Sequence, residues 1–428
     1  MSNLSDVLYN MAGKDLFIHC KPEVMDFTDD KPVTLSIMSP TNAFEITLPH
    51  DAVKLRSLCG KLSHFLFGGH SQNLIIGWDL KNLFSYILAI TGKPLYYESK
   101  IFDLRILENY IGKVEELPKD YAEARLRLMG VVKHSSWEKL KNIWVGIYTP
   151  LSVSIVPELE TIGIIKNKQR FHAFYEIASQ VNGRMKCSNA FAKSFNPHTM
   201  AEEDKAVFKV PDFDGLFCYL DIKHMEVSVL QWLSGDPKLK EILESGQDLY
   251  DGIWKAITNI DSNEEFRKRC KGIFLPVVYG LGANGLAEKS GIPVDTAKKL
   301  IGNIRKEFSV AFGWIEDQQK ARNGEAVDCF GRVRKIDESY KIRNFVVQSP
   351  AAILCFDKLI QLHKAVGSIG KLGMHIHDGY VIFANKATRR KIMELAKQSL
   401  ESESKFFPGL KLKVLSKFGE NLLFKEVA

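Results

Sequence analysis

Apolar positions in the amino-terminal part of the chain switch between two periods. Asp15-Leu-Phe-Ile-His-Cys, Pro32-Val-Thr-Leu-Ser-Ile-Met-Ser and Ala43-Phe-Glu-Ile-Thr-Leu-Pro are short and strand-like. His50 to Phe67 instead repeats its apolar residues at helical spacing. Asn73-Leu-Ile-Ile-Gly-Trp predicts a buried strand, Asp79 to Ile90 a helix, Ile101 to Gly112 a strand running into a helix, and Lys119 to Met129 another helix. The segment from 131 to 180 carries Ser136-Trp-Glu-Lys-Leu-Lys-Asn-Ile-Trp and a proline-containing link, Thr149-Pro150 to Pro157. Further on, the apolar strand Phe217-Cys-Tyr-Leu ends at Asp221 and an amphipathic helix begins. Gly373 to Phe383 predicts a β-hairpin: Met374 to His377 extended, Asp378-Gly379 as the two-residue turn, Tyr380 to Phe383 returning.

Composition adds bounds. The chain has 428 residues, enough for two or three domains with full cores. Its shares of apolar residues, 45%, and charged residues, 25%, are those of a globular protein. A net charge of +7 is compatible with a polyanionic partner. Seven scattered cysteines without CxxC spacing predict reduced, buried fillers and no zinc site. The amino-terminal residues lack the basic and apolar regions of a leader, and no uninterrupted apolar run reaches membrane-spanning length. A soluble cytoplasmic protein without membrane contact is therefore expected.

The chemistry lies in carboxylates and cations far apart in sequence. Asp221 and Asp378 are two hard oxygen ligands on two strands, suited to a pair of magnesium ions and in-line phosphoryl transfer. Arg267 and Lys271 share one helical face, continued by Leu275 and Tyr279: a cationic stripe for phosphates followed by apolar groups for a base. Taken singly, His377-Asp378 is more often a surface turn than a site. Joined to Asp221 and the Arg267/Lys271 helix, the balance reverses. His375-x-His377 lacks a third and fourth ligand for zinc.

Three segments, in order, resemble the palm and fingers of family A (polymerase I-like) DNA polymerases over roughly residues 165–428. They are Asp221 to Asp236, Arg267-Lys-Arg-Cys-Lys271-Gly-Ile-Phe-Leu275-Pro-Val-Val-Tyr279-Gly280, and the His377-Asp378 hairpin. Smaller agreements are Asn182-Gly-Arg184 with Phe195-Asn196-Pro197, Gly331-Arg332-Val-Arg334, Asn344-x-x-x-Gln348 and Gly419-Glu-Asn421. The resemblance implies that Asp221, Asp378 and the Ile222 carbonyl hold two Mg²⁺ ions, with Mn²⁺ able to substitute. It implies that Arg267, Lys271, Leu275, Tyr279, Glu226 and His224 bind a dNTP, Lys271 protonating the leaving pyrophosphate and Glu226 excluding a 2′-OH. It implies that Arg184, Asn344, Gln348, Arg332 and His377 meet primer-template DNA. Departures are Leu275 where the family has an aromatic, Gly379 where it has an acid after the aspartate, and Tyr340 where an arginine is expected four before Asn344.

The amino-terminal pattern resembles the RNase H-like 3′–5′ proofreading exonuclease domain with its carboxylate cluster missing. His19-Cys20-Lys21 stands for the paired acids, Leu83 for the helical aspartate, and Arg125 for the aspartate four after Tyr121; Asp103 alone falls where the family has an acid. The expected fold is an α+β multidomain chain: 1–130 a degenerate exonuclease-like domain, 131–180 a short helical thumb or linker, and 181–428 a right-hand palm and fingers, the fingers at about 245–325. The expected activity is template-directed DNA synthesis without proofreading, in a viral or phage replicase or a repair enzyme, with a processivity or replisome partner allowed for by the reduced thumb. A single-subunit RNA polymerase and a non-catalytic primer-template-binding subunit remain as alternatives.

Overall fold

The computed structural model describes the chain except residues 1–10, 12–13, 23–25, 30, 63–73, 95–99, 114–115, 190, 213, 321–323 and 425–428. The last turns of the helix expected up to Phe67 lie outside the described residues. The chain forms two compact units: Met1–Asp221 with Phe356–Leu400 and Leu415–Ala428, and Ile222–Cys355 with Glu401–Val414.

The first unit contains a five-stranded sheet of β1 (Leu16–Lys21), β2 (Val33–Met38), β3 (Ala43–Leu48), β4 (Leu74–Trp78) and β5 (Lys100–Asp103), in the order β3-β2-β1-β4-β5. β1–β2 and β2–β3 are antiparallel, while β1–β4 and β4–β5 are parallel. Parallel neighbours need a crossover, and helix α1 (Leu80–Thr91) supplies the one between β4 and β5. The succession of strands and helices is the one that the apolar pattern predicted, and the pairing makes the first three strands antiparallel. β1 is buried along all but its last residue, whereas the edge strand β3 alternates, so the sheet presents one solvated face at that edge. Leu16, Ile18, Leu35, Ile37, Ile75, Leu83 and Phe84 share its core. Helix α1 stops at Gly92, whose left-handed backbone, with φ at 64°, lets its N–H turn back to the Leu88 carbonyl.

Around Pro150 the backbone widens into two π-helical turns, Trp144–Tyr148 and Leu151–Ile155, before helix α2 (Val156–Ile162), with Pro157 near its start. Trp144 anchors this segment on the sheet, its indole N–H donating to the Ile101 carbonyl at 3.0 Å. Glu160 on α2 is buried at 1% exposure and accepts from Lys81 Nζ at 2.8 Å, Ser85 Oγ at 2.5 Å and the Tyr175 N–H at 2.7 Å.

A second sheet in this unit is built from β6 (Gly215–Ile222), β7 (Lys371–Ile376), β8 (Gly379–Asn385) and β9 (Val414–Gly419), in the order β7-β8-β6-β9. β8 runs antiparallel to both neighbours, with Asp221 opposite Gly379 on one side and Ile376 opposite Gly379 on the other. That register corrects the expected hairpin by one residue. The turn is His377-Asp378, with His377 at φ 53°, and Gly379 belongs to the strand.

The second unit is helical for most of its length. Helices α3 (Met225–Ser234), α4 (Leu249–Thr258) and α5 (Glu264–Val278) carry the residues of interest. Asp248 starts α4 by accepting the Tyr250 and Asp251 N–H groups, and Asn263 starts α5 by accepting that of Phe266. The chain passes from one unit to the other within helix α6 (Ser339–Val366). Its stretch Tyr340–Val366 is long and apolar enough to cross a membrane, with a mean hydropathy of 1.3 over its most apolar 18 residues, yet 89% of those residues are buried inside the protein, as for a core helix. All the described cysteines are free and, apart from Cys329, buried. Burial pushes thiols such as Cys218 up to about 12.

Candidate active site

The second sheet brings the two candidate ligands together. Asp221, near the end of β6, faces Gly379, and Asp378 is the residue just before it, so both half-buried carboxylates stand at the same end of the sheet. Ile222 follows directly and closes β6. The Tyr219 hydroxyl, two positions earlier on the same face of the strand, donates to Asp221 Oδ1 at 3.2 Å. No group of three or more His, Cys, Asp or Glu side chains that could hold a metal occurs among the described residues. A pair of carboxylates nevertheless fits magnesium, which takes one or two of them and leaves its remaining positions to water and phosphate oxygens.

Behind the turn sit three imidazoles. His377 is exposed and meets His198 edge-on, ring centroids 4.5 Å apart, and His375 lies 6.3 Å from His198. Burial, helped by His377, holds His198 down at about 4, and burial with both neighbours holds His375 at about 3. Both are therefore neutral at physiological pH and support the turn without adding charge. Tyr175 braces the same strand, its hydroxyl donating to the His375 carbonyl at 3.2 Å. Arg184 is half-buried and belongs to the charges acting on His375.

In the second unit the expected nucleotide-binding residues gather around the start of α3 and the length of α5. Glu226, in the first turn of α3, accepts from the Tyr279 hydroxyl at 2.5 Å, joining two residues 53 positions apart. Arg267 pairs with Asp248 at 2.9 Å. Burial would raise Asp248, but the hydrogen bond from Arg267 and the backbone donors bring its pKa below the usual value. His224 precedes α3 at φ 56°, with Tyr250 edge-on at 5.1 Å. Burial lowers it to about 4, opposed by Asp248 and assisted by Lys223, Arg267 and Lys271. It can offer a phosphate a hydrogen bond but no charge. Lys271 is exposed and Leu275 half-buried on α5. Asn344 and Gln348 lie one turn apart on α6, both half-buried, and Asn344 Oδ1 has no hydrogen-bond partner among the described residues.

Arg332, expected to meet DNA, is buried. Its side chain is 1% exposed, and its backbone N–H donates to Asp328 Oδ1 at 2.9 Å. Arg332 is thus buried, and its charge acts on the buried Asp328 carboxylate. Ser349 closes the arrangement by donating to Asp328 Oδ2 at 2.5 Å. Tyr219 and Tyr250 were missed by sequence reasoning; the two-residue strand period linking Tyr219 to Asp221 is the signal that could have found the first.

The residues expected to replace an exonuclease cluster are turned to structural use. Lys21 pairs with Glu45 at 3.4 Å and Leu83 is buried. Arg125 donates to the Tyr121 hydroxyl at 3.2 Å and lies 3.9 Å from Asp15. Asp103 is buried and accepts from the N–H groups of Asp79, Leu80 and Arg105.

The family model for DNA polymerase family A matches residues 128–423. The chain belongs to DNA polymerase family A. A thermostable DNA polymerase I of Thermus caldophilus is 24% identical over 77% of this chain and 42% of its own length. A DNA polymerase of Mycobacterium phage D29 is 31% identical over 38% of this chain and 28% of its own. The chain thus spans less than half the length of these relatives. A solved structure, described as the POL domain of Pol1 from M. smegmatis in complex with DNA primer-template and dNTP, has the same fold, with a TM-score of 0.73 at 14% identity over 98% of each chain. Family A membership covers the segments with the candidate carboxylates and α5, and the fold likeness extends over the N-terminal sheet as well.

Proposed function

We propose that the chain carries out template-directed DNA synthesis, adding dNMP from a dNTP to a primer 3′-OH with release of pyrophosphate. The observation that supports this most is the register of β6 against β8, with Asp221 opposite Gly379 and Asp378 beside it. Asp221, Asp378 and the Ile222 carbonyl would hold two Mg²⁺ ions, or Mn²⁺ in their place. When bound, the ions lower the pKa of the primer hydroxyl and neutralise the triphosphate. Arg267 and Lys271 bind the phosphates, and Lys271 gives its proton to the departing pyrophosphate. Glu226, fixed by the Tyr279 hydroxyl, fills the space a 2′-OH needs and so selects deoxyribose. Leu275 faces the base, and His224 offers a neutral hydrogen bond. Arg184, Asn344 and Gln348 test the minor-groove acceptors common to all correct pairs, and His377 contacts the primer end.

In this reading residues 1–130 are an exonuclease-like domain without nuclease activity, 131–180 a short thumb or linker, and 181–428 the palm and fingers, with fingers near 245–325. The replacement of ligand positions by Lys21, Leu83 and Arg125 supports the loss of proofreading. The partners are primer-template DNA and dNTPs, the short thumb leaves room for a processivity or replisome partner, and the site of action is the cytoplasm. The Glu226–Tyr279 contact favours this reading over an RNA polymerase.

One gel tests it: a labelled primer-template with Mg²⁺, without and then with dNTPs. Extension with dNTPs and an intact primer without them is expected. Shortening would overturn the loss of proofreading, and tight binding without extension would bring the non-catalytic reading forward.

A further inference from the structure

We propose that Tyr219 is a positioning residue for the Asp221 carboxylate, and that position 379 is glycine because the Tyr219 ring occupies the space of its side chain. The proposal rests on the reading of Asp221 as a metal ligand. Tyr219 and Asp221 are two apart on β6 and so share a face of the strand. The Tyr219 hydroxyl donates to Asp221 Oδ1 at 3.2 Å. Across the strand pair, Asp221 stands opposite Gly379. A Cβ built on Gly379 would lie 2.5 Å from the Tyr219 ring and from its hydroxyl oxygen, closer than real side chains approach. Gly379 is not among the residues with positive φ, so its backbone conformation does not demand glycine. The close approach of the ring does.

The ring also stacks on Phe424, centroids 4.9 Å apart and planes within 20°. Tyr219 is thus held by packing as well as by its strand, and its hydroxyl is aimed before any ligand arrives. A hydrogen bond to a charged carboxylate fixes the orientation in which that carboxylate meets a cation. The same slot cannot contain an acid at 379, the residue the family resemblance leads one to expect there. Tyr219 with Gly379 therefore forms a unit in which a hydroxyl next to the metal carboxylate replaces a second negative side chain.

The test uses the full chain with primer-template. Tyr219→Phe keeps the ring and removes only the hydroxyl. It should lower kcat about tenfold with dNTP KM nearly unchanged, and weaken Mn²⁺ binding, read by electron paramagnetic resonance, by about tenfold or more. A ring with a purely structural role would leave both at wild-type values. Gly379→Ala should cause a similar loss by displacing the ring. In a Tyr219→Ala background the slot is empty, so Gly379→Ala should add no further loss and Gly379→Glu should recover part of the Mn²⁺ affinity. Wild-type kcat and Mn²⁺ affinity in Tyr219→Phe, with Asp221→Ala inactive, overturns the positioning role alone. Full activity in Asp221→Ala overturns the metal-ligand reading beneath it.

Discussion

In the N-terminal sheet β4 runs into Asp79 and β5 ends in Asp103; in the second sheet β6 ends beside Asp221, at the turn that carries Asp378. Both sheets lie in the same compact unit, and both place acids where strands stop. In the N-terminal sheet these acids are consumed internally. Asp103 is buried under three backbone N–H donors, and Asp79 is paired with Arg105 at 3.1 Å. Burial, with Asp79 next to it, raises the Asp103 pKa, so this carboxyl is ill suited to hold a cation. Asp221 and Asp378 are instead half-buried at an open turn, with a hydroxyl setting the angle of Asp221. If Asp221 and Asp378 are the ligands proposed above, the difference teaches that standing at a strand end does not by itself make an acid a ligand. It must also keep contact with solvent, and its partners must orient it without enclosing it.

The largest effect should separate the two sheets outright. Asp221→Ala or Asp378→Ala removes several kcal/mol of charge stabilisation and should cut synthesis by about 10³-fold or more, with DNA binding retained in a filter or anisotropy assay. Full activity in either would erase the contrast. Next, Lys81→Ala removes the ammonium that faces the buried Glu160 carboxylate. It should cost about 3–5 kcal/mol in denaturant unfolding while the folded fraction keeps its kcat; an unchanged midpoint would show that the network is not structural. Third, Glu226→Ala should reduce discrimination against ribonucleotides by about 10–200-fold, measured as the ratio of kcat/KM values for dNTP and rNTP. An unchanged ratio would remove the steric role.

The smallest effect concerns the imidazoles behind the turn. His198 and His375 bind protons less readily folded than unfolded, with values near 4 and 3 against 6.5. Below about pH 6.5 the unfolded chain therefore takes up more protons, and stability falls as pH drops toward 4. Melting followed by circular dichroism should show this loss, and His198→Gln should flatten it by a few degrees. An identical slope in the variant would mean that other groups carry the acid sensitivity.

Much of this was legible in the chain. Apolar alternation located β1 to β5, and the strand ending at Asp221 and the helical spacing of Arg267, Lys271 and Leu275 are as expected. Where the reading failed, a long-range constraint had overridden a local one. Asp378-Gly379 is a strong turn dipeptide, yet pairing with β6 draws Gly379 into the strand and shifts the turn onto His377. An arginine after a glycine turn suggests a surface cation, yet Arg332 is 1% exposed, with its backbone N–H bonded to the buried Asp328 four residues upstream. Tyr219 looked like an ordinary strand residue, because nothing local records that position 379, next to its ring, has no side chain.

The Glu160 network also bears on how far the chain can be shortened. A chain trimmed to begin after residue 130 would lose Lys81 and Ser85, two of the groups that satisfy Glu160, and the Ile101 carbonyl on which Trp144 is anchored. The N-terminal sheet is thus retained as scaffold. Lys81 and Ser85 are constrained by a carboxylate that lies outside the sheet altogether. Packing alone would then preserve the N-terminal sheet.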